Sequence, residues 1–190
     1  MTRSTIACVP AIVCAAVLTL AAAPQDVNPQ AEVLSRFKER VDAYIQVREK
    51  AASTVAVIEE TMSPEEITAR QQALGRAVKA QRAGARQGDI IFPEVATLLR
   101  QAIRNDLRRR PASERSAALA AIPDAPVLGV NDSYPSTVPL GTVPPRLLAQ
   151  LPRLPEKLEY RFLGSRLILR DVDANIVVDY MDGALPKGRG

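Results

Sequence analysis

The sequence predicts an α+β protein, with a helical bundle of about three main helices first, a proline-rich segment next and a three-stranded antiparallel meander last. Apolar residues recur at intervals of three and four through residues 28–121, whereas they alternate with polar residues in residues 156–185. Residues 122–155 contain eight prolines, which regular helices and central strands do not accommodate. We therefore expect a helical region, a proline-rich wrapping segment and a β-meander over these three ranges.

The first residues have the pattern of a secretory signal peptide. Arg3 supplies a positive charge, residues 6–23 form an almost unbroken apolar run, and three alanines close it. Both cysteines of the chain lie within residues 1–23, so cleavage leaves a cysteine-free protein. Pro24 follows the alanines directly and disfavours cleavage there, so a retained N-terminal anchor close to the membrane is the alternative. In either case we expect an exported protein, periplasmic or secreted.

Four helices are predicted before the prolines begin. The first has a stripe of apolar side chains that also includes Arg48. The second begins with Ser63 as its cap, and its inward positions include Ile67 and Ala85. The expected ranges are about Pro29–Ala52, Ser63–Gly88, Pro93–Arg110 and Ala112–Ala121.

The proline-rich segment keeps a regular supply of branched aliphatic residues, such as Val127, Val138 and Val143. Disordered tracts are poor in these residues, so we expect the segment to wrap over a core. Residues 144–151 are compatible with two helical turns that begin with proline.

The carboxyl-terminal part predicts three short strands. Leu158, Tyr160 and Phe162 alternate with charged residues, Gly164 marks a hairpin turn, and residues 166–172 and 176–181 supply two more strands. A meander of this size needs its apolar face covered, and we expect the helices to cover it.

Three runs of this sequence resemble segments of an uncharacterised family of exported bacterial proteins. The runs are Ala85 to Val95, Leu154 to Gly164 and Asp171 to Asp179. The resemblance covers most of the chain after the signal peptide. It implies a bacterial envelope setting, and it implies no activity and no functional residues.

Catalytic signals are sparse. The chain has no histidine, so Ser-His and Cys-His relays are excluded, and no cofactor motif is present. Asp171, Asp173 and Asn175 have the one, three, five spacing of a calcium loop, and Asp179 falls at position nine. Such a loop needs glycine at position six and helices on both sides, whereas Ile176 stands here among β formers. We therefore favour a turn. The alternative is a calcium- or metal-dependent binding protein or enzyme centred on the stretch from Asp171 to Asp182.

Positive charge is concentrated between Arg70 and Arg115, a range that contains eleven basic residues and only four acidic ones. Helical spacing predicts a basic outer face that binds an anionic partner, formed by Arg76, Lys79, Arg82, Arg86, Arg100, Arg104 and Arg108. The alternative is a solvated face that only maintains solubility. Nucleic acid is disfavoured because the protein is expected to be exported and has few aromatic residues. We predict a non-enzymatic envelope protein that binds another protein or an anionic envelope component.

Overall fold

The computed structural model of the chain describes residues 28–55, 63–123 and 127–186. The predicted signal peptide, residues 1–23, lies outside them. None of the described helices is both long enough and apolar enough to cross a bilayer.

Five helices are present among these residues, and proline occupies the first turn of most of them. Asn28 caps the first helix, because its side-chain oxygen accepts a hydrogen bond from Gln30 N at 3.0 Å. Ser63 Oγ accepts from Glu66 N in the same way at the start of the second. The helices are α1 Pro29–Ala52, α2 Pro64–Gln81, α3 Pro93–Arg109, α4 Ala112–Ala120 and the short α5 Pro145–Leu148.

The second helix ends earlier than predicted. The sequence favoured a helix up to Gly88, but α2 stops at Gln81, and Arg82 leaves the helical conformation. Residues 82–92 form a loop instead, in which Gly88 has a φ of +88°. The loop forms because its backbone N–H groups bind a carboxylate of the sheet, described below. Ile67, predicted to be inward, is 52% exposed.

The sheet has four strands instead of three, in the order β1-β2-β3-β4, and every neighbouring pair is antiparallel. The additional strand is Gly141–Thr142, which belongs to the proline-rich segment and pairs with Phe162 and Arg161. A Cβ at Gly141 would lie 2.2 Å from Phe162 O, so glycine permits this close pairing. The strands are β1 Gly141–Thr142, β2 Leu158–Leu163, β3 Arg166–Asp171 and β4 Ile176–Met181.

The proline-rich segment also covers the opposite edge of the sheet. Asn131 N donates to Val177 O, Val177 N donates to Asp132 O, and Tyr134 N donates to Asn175 O, all at 2.8–2.9 Å. Asn131 has a positive φ of 67°, which agrees with the turn expected from its sequence. The segment therefore supplies the short edge strand β1 on one side of the sheet and pairs with the start of β4 on the other, which shortens the strand edge that is open to another chain.

Two apolar clusters cover the two faces of the sheet. The larger lies between the sheet and the helices and includes Phe37, Ile103 and Leu169. The smaller lies under the proline-rich segment, where Leu128 and Tyr134 contact the other face. The α+β class is confirmed, and the sheet is enclosed on both sides.

Candidate functional site

The stretch from Asp171 to Asp182 forms a hairpin. β3 ends at Asp171, β4 begins at Ile176, and the two strands pair antiparallel, so strands flank the predicted turn. Asp171 Oδ1 accepts from Ala174 N at 2.8 Å, and Asn175 has a positive φ of 50°. These are the local interactions by which Asp and Asn reverse a chain.

Asp171 is fully buried, and α1 supplies partners for its other oxygen. Tyr44 Oη donates to Asp171 Oδ2 at 2.7 Å, and Arg48 Nε donates to the same atom at 2.8 Å. Burial and the neighbouring Asp171 carboxylate raise the pKa of Tyr44 far above its ordinary value, so its hydroxyl remains a donor. This explains why a charged residue, Arg48, lies on the inward stripe of α1.

Asp173 is half exposed and joins the same group of charges. Its Oδ2 lies 2.5 Å from Arg48 Nη2 and 3.1 Å from Lys157 Nζ. The hairpin is thereby connected to α1 and to the start of β2. Asn175 has different neighbours, since its Oδ1 accepts from Arg170 Nη2 at 2.6 Å.

Asp179 is also fully buried, and it binds the loop that follows α2. Its Oδ1 accepts from Gly88 N at 3.0 Å and from Tyr180 N at 2.8 Å, while Oδ2 accepts from Ile90 N and Ile91 N at 2.7 Å each. Four backbone donors thus surround one carboxylate, which compensates for its removal from water.

An irregularity in the sheet directs Asp179 towards this loop. Asp179 pairs with Leu169, but the next pair is Arg170 with Val177, so β4 has one additional residue, Val178. In a regular ladder Asp179 would face the proline-rich segment, because side chains alternate between faces. The bulge places it on the helical side instead.

The four candidate metal ligands therefore contact protein groups in three different places. Asp171 and Asp173 contact Arg48, Asn175 contacts Arg170, and Asp179 contacts the loop. Within residues 28–55, 63–123 and 127–186, no group of three or more His, Cys, Asp or Glu side chains has an arrangement that could hold a metal ion.

The predicted basic surface divides into two parts with different environments. On α2, Arg76 and Lys79 are exposed, as is Arg86 in the loop that follows. Arg82 is the exception to the prediction, because it turns inward. Its guanidinium donates to Asn131 Oδ1 at 2.9 Å and to Val178 O at 3.1 Å. It also lies 5.0 Å from the centre of the Tyr44 ring, and burial lowers its pKa. Arg82 follows buried Val78 by four residues, so the helical period places it on the buried side of α2 and not on its outer face.

The arginines of α3 line a groove of about 520 Å³. Arg100, Arg104 and Arg108 follow one another at intervals of one helical turn, and Arg115 of α4 joins them. The floor is apolar and combines Leu107 with the last described residues of the chain, 184–186. The sequence predicted three of these four arginines as a surface, but it gave no signal that residues 183–186 return to lie beside them.

Three of the groove arginines have no anionic partner in the described part of the chain. Arg104, Arg108 and Arg115 form no ion pair with a described residue, and no described Asp or Glu lines the groove. Arg100 donates to a backbone oxygen, that of Asp182, at 3.1 Å. By contrast, Arg110 at the end of the same helix pairs with buried Asp106 at 2.7 Å.

Comparison of the chain with protein-family models, with curated proteins and with solved structures finds no significant match. The resemblance to exported bacterial proteins and the expected envelope location therefore stay predictions.

Proposed function

We propose that this chain is a non-enzymatic, exported envelope protein that binds an anionic partner in the groove formed by α3, α4 and residues 183–186. The observation that carries the proposal is the set of four arginines, Arg100, Arg104, Arg108 and Arg115, around one concave surface with no described carboxylate in its lining. The exported location rests on the apolar N-terminal run of the sequence.

The spacing of these arginines supports a binding role over a purely structural one. Like charges four residues apart destabilise a helix by about 0.2–0.5 kcal/mol for each pair. Arg104 has such a neighbour on both sides, Arg100 and Arg108. The favourable interaction of Arg108 with the helix dipole is confined to the last turn, so it does not account for Arg104. A bound anion would relieve this repulsion.

The acidic residues of the carboxyl-terminal hairpin support the same assignment indirectly. Asp171 and Asp179 are buried, and their oxygens accept hydrogen bonds from within the fold. They are therefore poorly placed to receive an external ligand, whereas Arg104 and Arg108 are exposed.

Salt-dependent retention on phosphocellulose tests the proposal. We expect Arg104→Glu with Arg108→Glu to elute at clearly lower salt than the unchanged protein, because ionic contacts with exposed charges weaken as salt rises. The matched control is Arg76→Glu with Lys79→Glu on α2, which changes the net charge equally and leaves the groove intact. Equal losses in the two variants would contradict the proposal, because retention would then depend on total charge alone.

A further inference from the structure

We infer that the ligand of this groove is a single anionic amphiphile, with a phosphate or carboxylate head beside the arginines and an alkyl chain on the apolar floor. This inference rests on the proposed function and specifies the class of molecule that is bound. It follows from the combination of an arginine rim with a floor that contains no charged residue: Leu107, Ala184, Leu185 and Pro186.

The floor is held in place by backbone hydrogen bonds. Ala184 N and Leu185 N both donate to Ser165 O, at 2.8 and 3.2 Å, in the turn between β2 and β3. Gly183 has a φ of +62°, which redirects the chain after β4. The apolar side of the groove is thus attached to the sheet, and an apolar ligand would bind without first ordering it.

The size and composition of the groove fit a small amphiphile better than a highly charged polymer. Pockets that bind small molecules have volumes of about 300–1,000 Å³ and are lined mostly by apolar residues with a few oriented polar groups. The volume here is about 520 Å³. Ala184 and Leu185 are only 3% and 6% exposed, so the apolar surface open to a ligand belongs mainly to Leu107 and Pro186. A polyanion would use the arginines and make no use of this surface.

The head of the ligand would interact with Arg104, Arg108 and Arg115. Guanidinium groups bind phosphate and carboxylate through paired hydrogen bonds, and these three have no carboxylate partner among the described residues. Arg100 differs, because it also donates to Asp182 O and so connects the rim to the end of β4.

Titration calorimetry with a series of alkyl phosphates tests this inference. Ethyl, butyl, hexyl and octyl phosphate carry the same head, and each is used below its micelle concentration. A fully buried methylene contributes roughly fourfold in affinity, so a chain lying on an open floor should give about twofold per methylene and about 60-fold from ethyl to octyl phosphate. Arg104→Glu with Arg108→Glu should weaken every member of the series.

Two controls separate the contributions of the head and the chain. Octanol, which has the chain without the anion, should bind far more weakly than octyl phosphate. Pro186→Ser, at the exposed end of the floor, should weaken octyl phosphate and leave ethyl phosphate unchanged.

Different experimental results would contradict the anion-binding proposal and the amphiphile inference. An affinity that does not change with chain length, but is lost in the arginine variant, would overturn the amphiphile and leave anion binding intact. If the arginine variant bound every alkyl phosphate as tightly as the unchanged protein, both the amphiphile and the proposed anion-binding function would be wrong. Retention on vesicles containing phosphatidylglycerol, without binding of monomeric octyl phosphate, would assign the groove to a membrane surface and overturn the inference.

Discussion

Two charged regions of this molecule contrast in how their charges are matched. In the carboxyl-terminal hairpin, Asp171 and Asp179 are buried and hydrogen-bonded to donors within the chain. In the groove beside α3, Arg104 and Arg108 are exposed and form no ion pair with a described residue. Burial of an ion is tolerated only when its partners are present, so the first region serves the fold. The second has charge available for a ligand.

From the sequence alone, the hairpin resembles a ligand site more than the groove does, whereas in the described part of the structure the groove has the free charges. The hairpin has the more suggestive motif, because Asp171, Asp173 and Asn175 have calcium-loop spacing. Spacing along the chain does not determine whether the oxygens converge. Here Asp171 is engaged by Tyr44 and Arg48 of α1, more than 120 residues away in sequence.

Among substitutions of these charged residues, we expect the largest loss of stability at Asp179. Asp179→Ala leaves the buried N–H groups of the loop after α2 without acceptors, so we expect a loss of about 3–5 kcal/mol in the free energy of unfolding. Urea denaturation followed by circular dichroism measures it. Asp42→Ala is the matched control: Asp42 pairs with Lys38 on the surface of α1 and should cost no more than about 1 kcal/mol. Similar losses in the two variants would show that the loop does not depend on Asp179.

An intermediate effect is expected at Tyr44. Tyr44→Phe removes one of the donors to Asp171 and should cost about 1–2 kcal/mol at neutral pH. Because burial raises the pKa of Tyr44 in the folded state, its contribution is complete below the ordinary tyrosine pKa of about 10 and declines as pH rises above it.

Unfolding of both proteins at several pH values between 7 and 11 measures this dependence. The difference in unfolding free energy should be constant at first and shrink above about pH 10. The comparison cancels the titration of the other residues, including Tyr160, whose pKa burial also raises. A difference that grew with pH would contradict the assigned direction.

Local patterns predicted much of the fold because they depend on neighbouring residues alone. The 3.6-residue period placed Arg48 on the buried stripe of α1, where it meets Asp171. Proline at the first turn located the start of α3, and the Asp-Ala-Asn run located the turn before β4. These features require no knowledge of distant parts of the chain.

Features formed by distant segments were not predictable in the same way. The Asp179 site joins residues about 90 positions apart and depends on a bulge that the sequence does not signal. Strand β1 has only two residues and lies among prolines, so it has no alternation to detect. The groove combines α3 with residues 183–186, and only its arginines formed a recognisable pattern.

The smallest expected effect on stability is at Arg104. The sign of this effect distinguishes a charge that is available for a ligand from a charge that is paired within the fold. Arg104→Gln removes like-charge repulsion with Arg100 and Arg108, so we expect a gain of about 0.4–1 kcal/mol that shrinks at high salt. Arg110→Gln removes the same charge from the end of α3 but leaves Asp106, which is 2% exposed, without its ion-pair partner, so it should destabilise the protein. Urea denaturation at low and high salt measures both. A loss of stability in Arg104→Gln would mean that this arginine serves the fold, and the groove would then lose its strongest claim to a ligand.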